Sequence, residues 1–290
     1  MRAVTKRMLW WIALAALTLA PVKIAVTAAR TELVSDFRPT PHRLPRPTSP
    51  ELAEVGFDAA GEHIRGWLRA PGKGAAVVLL HGADADRATM LPEAKILARH
   101  GYAVLLYDSP GHGESSGHAT WDEAERAALR AALDRLTIEP GIDPHRLGVL
   151  GFSMGSIIAL QVAADDLRVR AVAVTGAIPD FDALLRHQFR RYGPLSAWPA
   201  VEAARWAGMD LDHHRPIDQI AAIAPRPLLV VAGSEDATVP PTMTRALFEA
   251  AREPKALFIV PGGHHGHYDE VAGAGYEQRL IAFFDEALAP

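Results

Sequence analysis

The chain has 290 residues, 49% of them hydrophobic and 22% charged, which suits one large folded domain or two small ones with a sizeable core. A formal net charge of -4 leaves no basic footprint for a phosphate backbone, so nucleic acid is excluded as an expected partner. With no cysteine there is no disulfide, no thiolate nucleophile and no cysteine-ligated zinc.

The N-terminus carries its own signal. Arg2, Lys6 and Arg7 precede an unbroken apolar run from Met8 to Ala20, then Pro21, Lys23 and a further apolar stretch to Ala29. That is the layout of a secretory signal, with Val26-Thr27-Ala28 as a small-residue cleavage site. Taken as one span, residues 8–29 approach the roughly 20 residues that cross a bilayer, although Pro21 and Lys23 weaken that reading. The expectation is that residues 1–29 engage the membrane or the export machinery, as a cleaved signal or a retained anchor. The rest of the chain is then periplasmic or extracellular. Residues 30–50 follow as a spacer, with five prolines between Pro39 and Pro50, and residues 51–290 form the globular domain.

Within that domain short apolar runs alternate with helical ones. Strands are predicted at 53–57, 64–69 and 75–80, a helix at 87–100, a strand at 103–107 and a helix at 121–136. A strand at 147–151, a helix at 154–164 and a strand at 171–175 come next. After a long interruption the pattern resumes with a strand at 227–232, a helix at 242–252, a strand at 256–260 and a helix at 276–288. This alternation implies βαβ units and a mainly parallel sheet, and the continuous apolar runs Val77-Val78-Leu79-Leu80 and Leu228-Leu229-Val230-Val231 imply strands buried on both faces. Functional residues are then expected in loops at the carboxyl ends of the strands. The interruption, 178–224, is too long for an ordinary connection and is expected to be a helical insertion covering the site. Its Trp198 and Trp206, on helical spacing, are expected to pack rather than touch substrate.

Three of those loops hold residues suited to acyl transfer. Gly151-Phe152-Ser153-Met154-Gly155 lies between a strand and a helix, the setting of a nucleophile elbow, where a sharp turn strains the serine and tolerates no Cβ on its neighbours. A serine nucleophile needs a base and an orienting acid. Asp236 stands in the loop after the strand at 227–232, better placed than its neighbour Glu235. His264, His265 and His267 stand in the loop after the last strand, and spacing alone leaves the base open among them.

These loops resemble those of the α/β-hydrolase superfamily, in its serine hydrolase branch of esterases, lipases and peptidase-like members. The likeness runs from about Leu52 to Leu288. It is carried by His81-Gly82-Ala83, by Asp108-Ser109-Pro110-Gly111-His112-Gly113-Glu114-Ser115, by the Ser153 elbow, by the Asp236 loop and by Pro261-Gly262-Gly263-His264-His265, in that order. The resemblance implies an α/β-hydrolase fold, with a mainly parallel central sheet flanked by helices. It also implies His265 as the base, with His264 second and His267 third, and an oxyanion hole formed by the amides of Ala83 and Met154. No cofactor and no metal are implied. His81 and Asp108 are expected to brace their loops, and His213, His214, Glu202 and Asp210 to be exposed. The expected reaction is hydrolysis of a carboxylic ester of a small-molecule or acyl substrate through Ser153, His265 and Asp236. Thioester and peptide substrates are alternatives, as is a non-catalytic binding protein on the same scaffold. A zinc site at His264, His265, His267 and Asp269 is a further rival. The sequence does not fix an oligomeric state.

Overall fold

A computed structural model describes residues 21–22, 25–27, 52–70, 72–193, 195–209 and 211–290. The segment 1–29, expected to be a signal or an anchor, and the spacer expected at 30–50 therefore lie almost wholly outside the described residues. Val26, from within the N-terminal apolar stretch, is buried against the larger of the two core clusters. Among the described residues no helix is long and apolar enough to cross a membrane.

Eight strands form one sheet: β1 (Ala53–Ala59), β2 (Glu62–Arg69), β3 (Ala76–Leu80), β4 (Ala103–Tyr107), β5 (Leu147–Phe152), β6 (Val169–Thr175), β7 (Leu228–Gly233) and β8 (Lys255–Val260). Their order is β1-β2-β4-β3-β5-β6-β7-β8. The hairpin of β1 and β2 is antiparallel, β2 meets β4 antiparallel, and every pairing from β4 through β8 is parallel. All eight predicted strands are present, each within two residues of its expected ends. The period-2 alternation of the apolar runs supplies two cores at once. Val78, Leu80, Leu105, Val149, Val172 and Val230 face one side of the sheet with the helices Glu123–Thr137 and Met154–Asp165. Val77, Leu79, Val104, Leu106, Leu150, Leu229 and Val231 face the other with the helices Leu91–Arg99 and Ala274–Ala287. Burial on both faces is what a strand needs to tolerate an unbroken apolar sequence.

The predicted helix at 87–100 divides into a 3-10 turn, Arg87–Met90, and a helix, Leu91–Arg99, with Pro92 in its first turn. Proline suits a first turn, whose amides have no intrahelical partner. The described part of the 178–224 stretch is helical, as expected: Phe181–Phe189, Ala197–Trp206 and Pro216–Gln219 are joined by 3-10 turns at Arg190–Tyr192 and Ile220–Ile223. Trp198 and Trp206 do not pack inward as expected. Trp198 is 51% exposed and Trp206 63%, because Ala200, Val201, Ala203 and Ala204 form the buried face of their helix and the tryptophans lie on the outer one. Helical spacing put the two rings on one side without saying which. His213 is exposed, while His214 and Glu202 are half-buried, against expectation; Asp210 lies outside the described residues.

Connections from β3 to β4 run one way along the sheet and those from β5 onward run the other. The switch falls between β3 and β5, whose carboxyl ends open the crevice where α/β sheets bind ligands.

Candidate active site

Ser153 stands immediately after β5 at φ 51° and ψ -115°, an uncommon backbone conformation for a residue with a side chain, which costs on the order of 1–3 kcal/mol. The two glycines of the pentapeptide make the turn possible. A Cβ on Gly151 would overlap the carbonyl of Gly155, and one on Gly155 would come within 2.5 Å of the Leu80 carbonyl oxygen. The strain is held by neighbours: Ser153 N–H donates to Thr175 O at 3.0 Å, and Gly155 N–H donates to His81 O at 3.1 Å. Gly82 completes the approach, since a Cβ there would meet the Ser153 Cβ at 3.2 Å.

Two further loops close on the elbow. Gly233 ends β7 so near the last loop that a Cβ would overlap the Gly263 carbonyl, and Glu235 N–H donates to Gly263 O at 2.8 Å. This contact brings the Asp236 and His265 loops together. Asp236 is buried; its Oδ1 accepts the amides of Thr238 at 2.9 Å and Val239 at 2.8 Å, and its Oδ2 lies 2.8 Å from His265 Nδ1. His265 Nε2 lies 2.9 Å from Ser153 Oγ. A carboxylate only accepts, so the proton sits on Nδ1 and Nε2 is left to accept from the serine. The imidazole packs against Phe152 with ring centroids 4.9 Å apart. A Cβ on Gly176 would sit 2.9 Å from His265 Cε1, so that glycine leaves room for the ring.

The other sequence candidates lie apart from this series. Side-chain exposure is 75% for His264 and 77% for His267, and Glu235 is exposed. Among the described residues, no three His, Cys, Asp or Glu side chains converge in a way that could hold a metal ion. His81 and Asp108 brace loops, as expected. Buried His81 donates from Nδ1 to Gly82 O at 2.7 Å and accepts the Ser109 amide at Nε2, 2.9 Å away. Burial lowers its pKa to about 4, consistent with an imidazole that must stay neutral to accept at Nε2. Asp108 accepts the amides of Arg87 and Glu114, each at 2.8 Å, and pairs with the Arg87 guanidinium, which also reaches Glu114 and lies 4.4 Å from the Trp67 ring centroid. Burial is the largest influence on the Asp108 pKa and raises it despite these contacts. Arg87 was not legible from sequence, because an arginine opening a helix reads as solvated surface.

Ala83 and Met154 sit on the same side as Ser153. Ala83 lines a cleft of about 660 Å³ together with Ser153 and His265. Met154 is the first residue of its helix, so its amide has no intrahelical acceptor and faces outward from a positive helix end. The cleft's apolar wall comes from Trp121, Ile178 and Leu184, and its mouth from His187, Gln188 and Arg191 of the insertion. Trp121 stacks on Phe181 at 4.2 Å and is held at φ 62° by Glu125, which accepts the amides of Thr120 and Asp122 on either side. A smaller hollow elsewhere on the surface, of about 390 Å³ between Leu52 and Leu91, touches none of this chemistry.

A model of the Alpha/beta hydrolase family matches residues 77–277. The chain belongs to the alpha/beta hydrolase family. An uncharacterized protein of Mycobacterium tuberculosis is 29% identical over 252 residues, 83% of this chain and 84% of that protein. The uncharacterized protein YfhR of Escherichia coli K12 is 26% identical over 261 residues, 85% of this chain and 84% of its own length. Among solved structures, an esterase of Pyrococcus furiosus superposes with a TM-score of 0.73 at 20% identity, covering 86% of this chain and 98% of that one, a likeness of fold. In this family member the antiparallel hairpin of β1 and β2 precedes the matched residues.

A buried acid outside the elbow was also missed by sequence. Glu93, on the helix Leu91–Arg99, accepts from Tyr276 Oη at 3.2 Å, and burial holds its carboxyl up to about 7. Between about pH 4.5 and 7 the folded protein keeps a proton that the unfolded chain releases. The stability this gives is complete below about 4.5 and is lost as pH rises through 7. Urea unfolding at pH 5 and 8 should therefore show wild type losing roughly 2 kcal/mol more than Glu93→Gln over that interval. Equal losses would mean that Glu93 ionises as freely in the folded protein as in the unfolded one.

Proposed function

We propose that the chain is a carboxylic ester hydrolase that works by acyl transfer. The observation that carries this reading is the continuous series Asp236 Oδ2, His265 Nδ1, His265 Nε2 and Ser153 Oγ at 2.8 and 2.9 Å, on a serine with a strained backbone. Ser153 Oγ attacks the ester carbonyl carbon as His265 Nε2 takes its proton. Asp236 keeps the imidazole in the tautomer that can accept and stabilises the imidazolium that forms. The amides of Ala83 and Met154 donate to the oxyanion as charge develops there. His265 returns the proton to the departing alkoxide. Water, deprotonated by the same nitrogen, then attacks the acyl-enzyme carbonyl, and Ser153 regains its proton as the acid is released.

The apolar wall of Trp121, Ile178 and Leu184 suits an acyl chain and supports an ester over a peptide, whose hydrogen-bonding flanks would be desolvated there. The helices of 178–224 serve in this reading as a lid over the chain. The apolar run Met8 to Ala20 behind three cations supports a place for the enzyme beyond the membrane that this segment engages. A panel of p-nitrophenyl esters tests the assignment: kcat/KM is expected to rise with acyl length while the chain covers the apolar wall of Trp121, Ile178 and Leu184, and to level off once it reaches the polar mouth at His187, Gln188 and Arg191. No turnover of any ester by folded protein would contradict it.

A further inference from the structure

The peptide unit that offers the Ala83 amide is held from its other end. Gly82 C=O and Ala83 N–H belong to one trans peptide, so the N–H points away from the carbonyl across a rigid plane. That carbonyl accepts from His81 Nδ1 at 2.7 Å. Fixing the oxygen fixes the direction of the N–H, and a donor on the oxygen polarises the unit and makes the N–H a stronger donor. Among the described residues the Ala83 amide itself donates to no acceptor, and Ala83 lines the cleft beside Ser153.

The tautomer of His81 is set by its other nitrogen. Nε2 accepts the Ser109 amide at 2.9 Å, which leaves the ring proton on Nδ1. The ring is buried and packs against His112 with centroids 5.0 Å apart, and burial, which lowers its pKa to about 4, keeps it neutral. Ser109 is steadied in turn, because its neighbour Asp108 accepts the amide of Arg87, at the far end of the loop that begins at His81. The main chain of His81 reaches toward the second donor: its carbonyl accepts from Gly155 N–H at 3.1 Å, next to Met154. Both amides expected in the oxyanion hole thus take their bearing from one residue. The geometry points to His81 as a positioning residue of the oxyanion hole, whose Nδ1–H aims and polarises the Gly82–Ala83 peptide toward the charge that develops on the ester carbonyl oxygen; this rests on the ester-hydrolase reading.

Two substitutions separate the two bonds of the ring. In His81→Asn the side-chain NH₂ stands near the place of Nδ1 and still donates to Gly82 O, while the acceptor for Ser109 is lost. In His81→Gln the longer amide reaches the place of Nε2 and still accepts from Ser109, while the donor to Gly82 O is lost. Hydrolysis of p-nitrophenyl butyrate by the full chain is measured per serine that a fluorophosphonate labels at completion, so unfolded protein does not enter the rate. His81→Gln is expected to lower kcat about 100-fold with KM within about twofold, and His81→Asn to lower it about tenfold or less. A trifluoromethyl alkyl ketone, whose adduct with Ser153 carries its oxyanion in the same place, should bind the glutamine variant more weakly by the factor by which kcat/KM falls. Should the glutamine variant not fold, His81→Ala takes its place: it loses both bonds, and the asparagine variant should exceed it about tenfold, whereas a role limited to the Ser109 bond makes the two equal. Equal losses in asparagine and glutamine, a larger loss in asparagine, or a ketone affinity that does not follow kcat/KM would reduce His81 to a brace and leave the hydrolase intact. A wild-type protein that neither hydrolyses the ester nor takes the label would overturn the ester reading and this inference with it.

Discussion

Replacing Ser153 by alanine is expected to lower kcat on the order of 10⁵-fold while the protein stays folded. The side chain contributes one hydrogen bond, from its hydroxyl to His265 Nε2, and the Ser153 amide bond to Thr175 O that holds the elbow survives the change. Alanine suffers the same positive-φ strain as serine, so Tm should move little. The Ala83 and Met154 amides remain, and their effect on bound ester should leave a residual rate above that of the uncatalysed reaction. Steady-state kinetics on the best ester of the panel, with a melting curve beside it, checks both halves. A variant that retained a tenth of the wild-type rate would move the nucleophile elsewhere.

Asp236→Asn is the second large effect, and the geometry says why a change of one atom matters. Oδ1 of Asp236 accepts two amides, from Thr238 and Val239. An asparagine must keep its carbonyl oxygen there, since its NH₂ would face two donors, and so its NH₂ replaces Oδ2 opposite His265 Nδ1. Donor would then meet donor, and the imidazole escapes by moving its proton to Nε2. In that tautomer it cannot take the proton of Ser153. The expected loss in kcat is about 10⁴-fold near neutral pH, with substrate binding far less affected. A loss under tenfold would mean that the carboxylate does not set the tautomer.

The framework of the fold was legible because its central strands are buried on both faces. Val77 to Leu80 and Leu228 to Val231 carry no polar residue to blur their ends, and Gly151 and Gly155 mark the elbow by the contacts a Cβ would make. The order of the loops came with those strands. Choice among the histidines did not, because three neighbours in one loop differ only in where the chain points them. His265 is turned inward by the Gly233 contact and by the space at Gly176, both of which involve residues far away in sequence. Arg87 and Glu93 were illegible for a related reason: a charged residue in a first helical turn reads as solvent-facing until the opposite wall is known. For Arg87 that wall is Trp67, Asp108 and Glu114; for Glu93 it is Tyr276, from the last helix of the chain. The outward tryptophans at 198 and 206 belong to the same class of miss.

The central claim is that Ser153 is an activated nucleophile. Labelling the folded wild-type protein with a fluorophosphonate, followed by peptide mapping, addresses it most directly, because such reagents react with a serine whose proton a neighbouring base can remove. One label per chain is expected, on Ser153, with greatly slowed labelling in Asp236→Asn. A folded wild-type protein that stays unlabelled, or that carries its label on another residue, would contradict it.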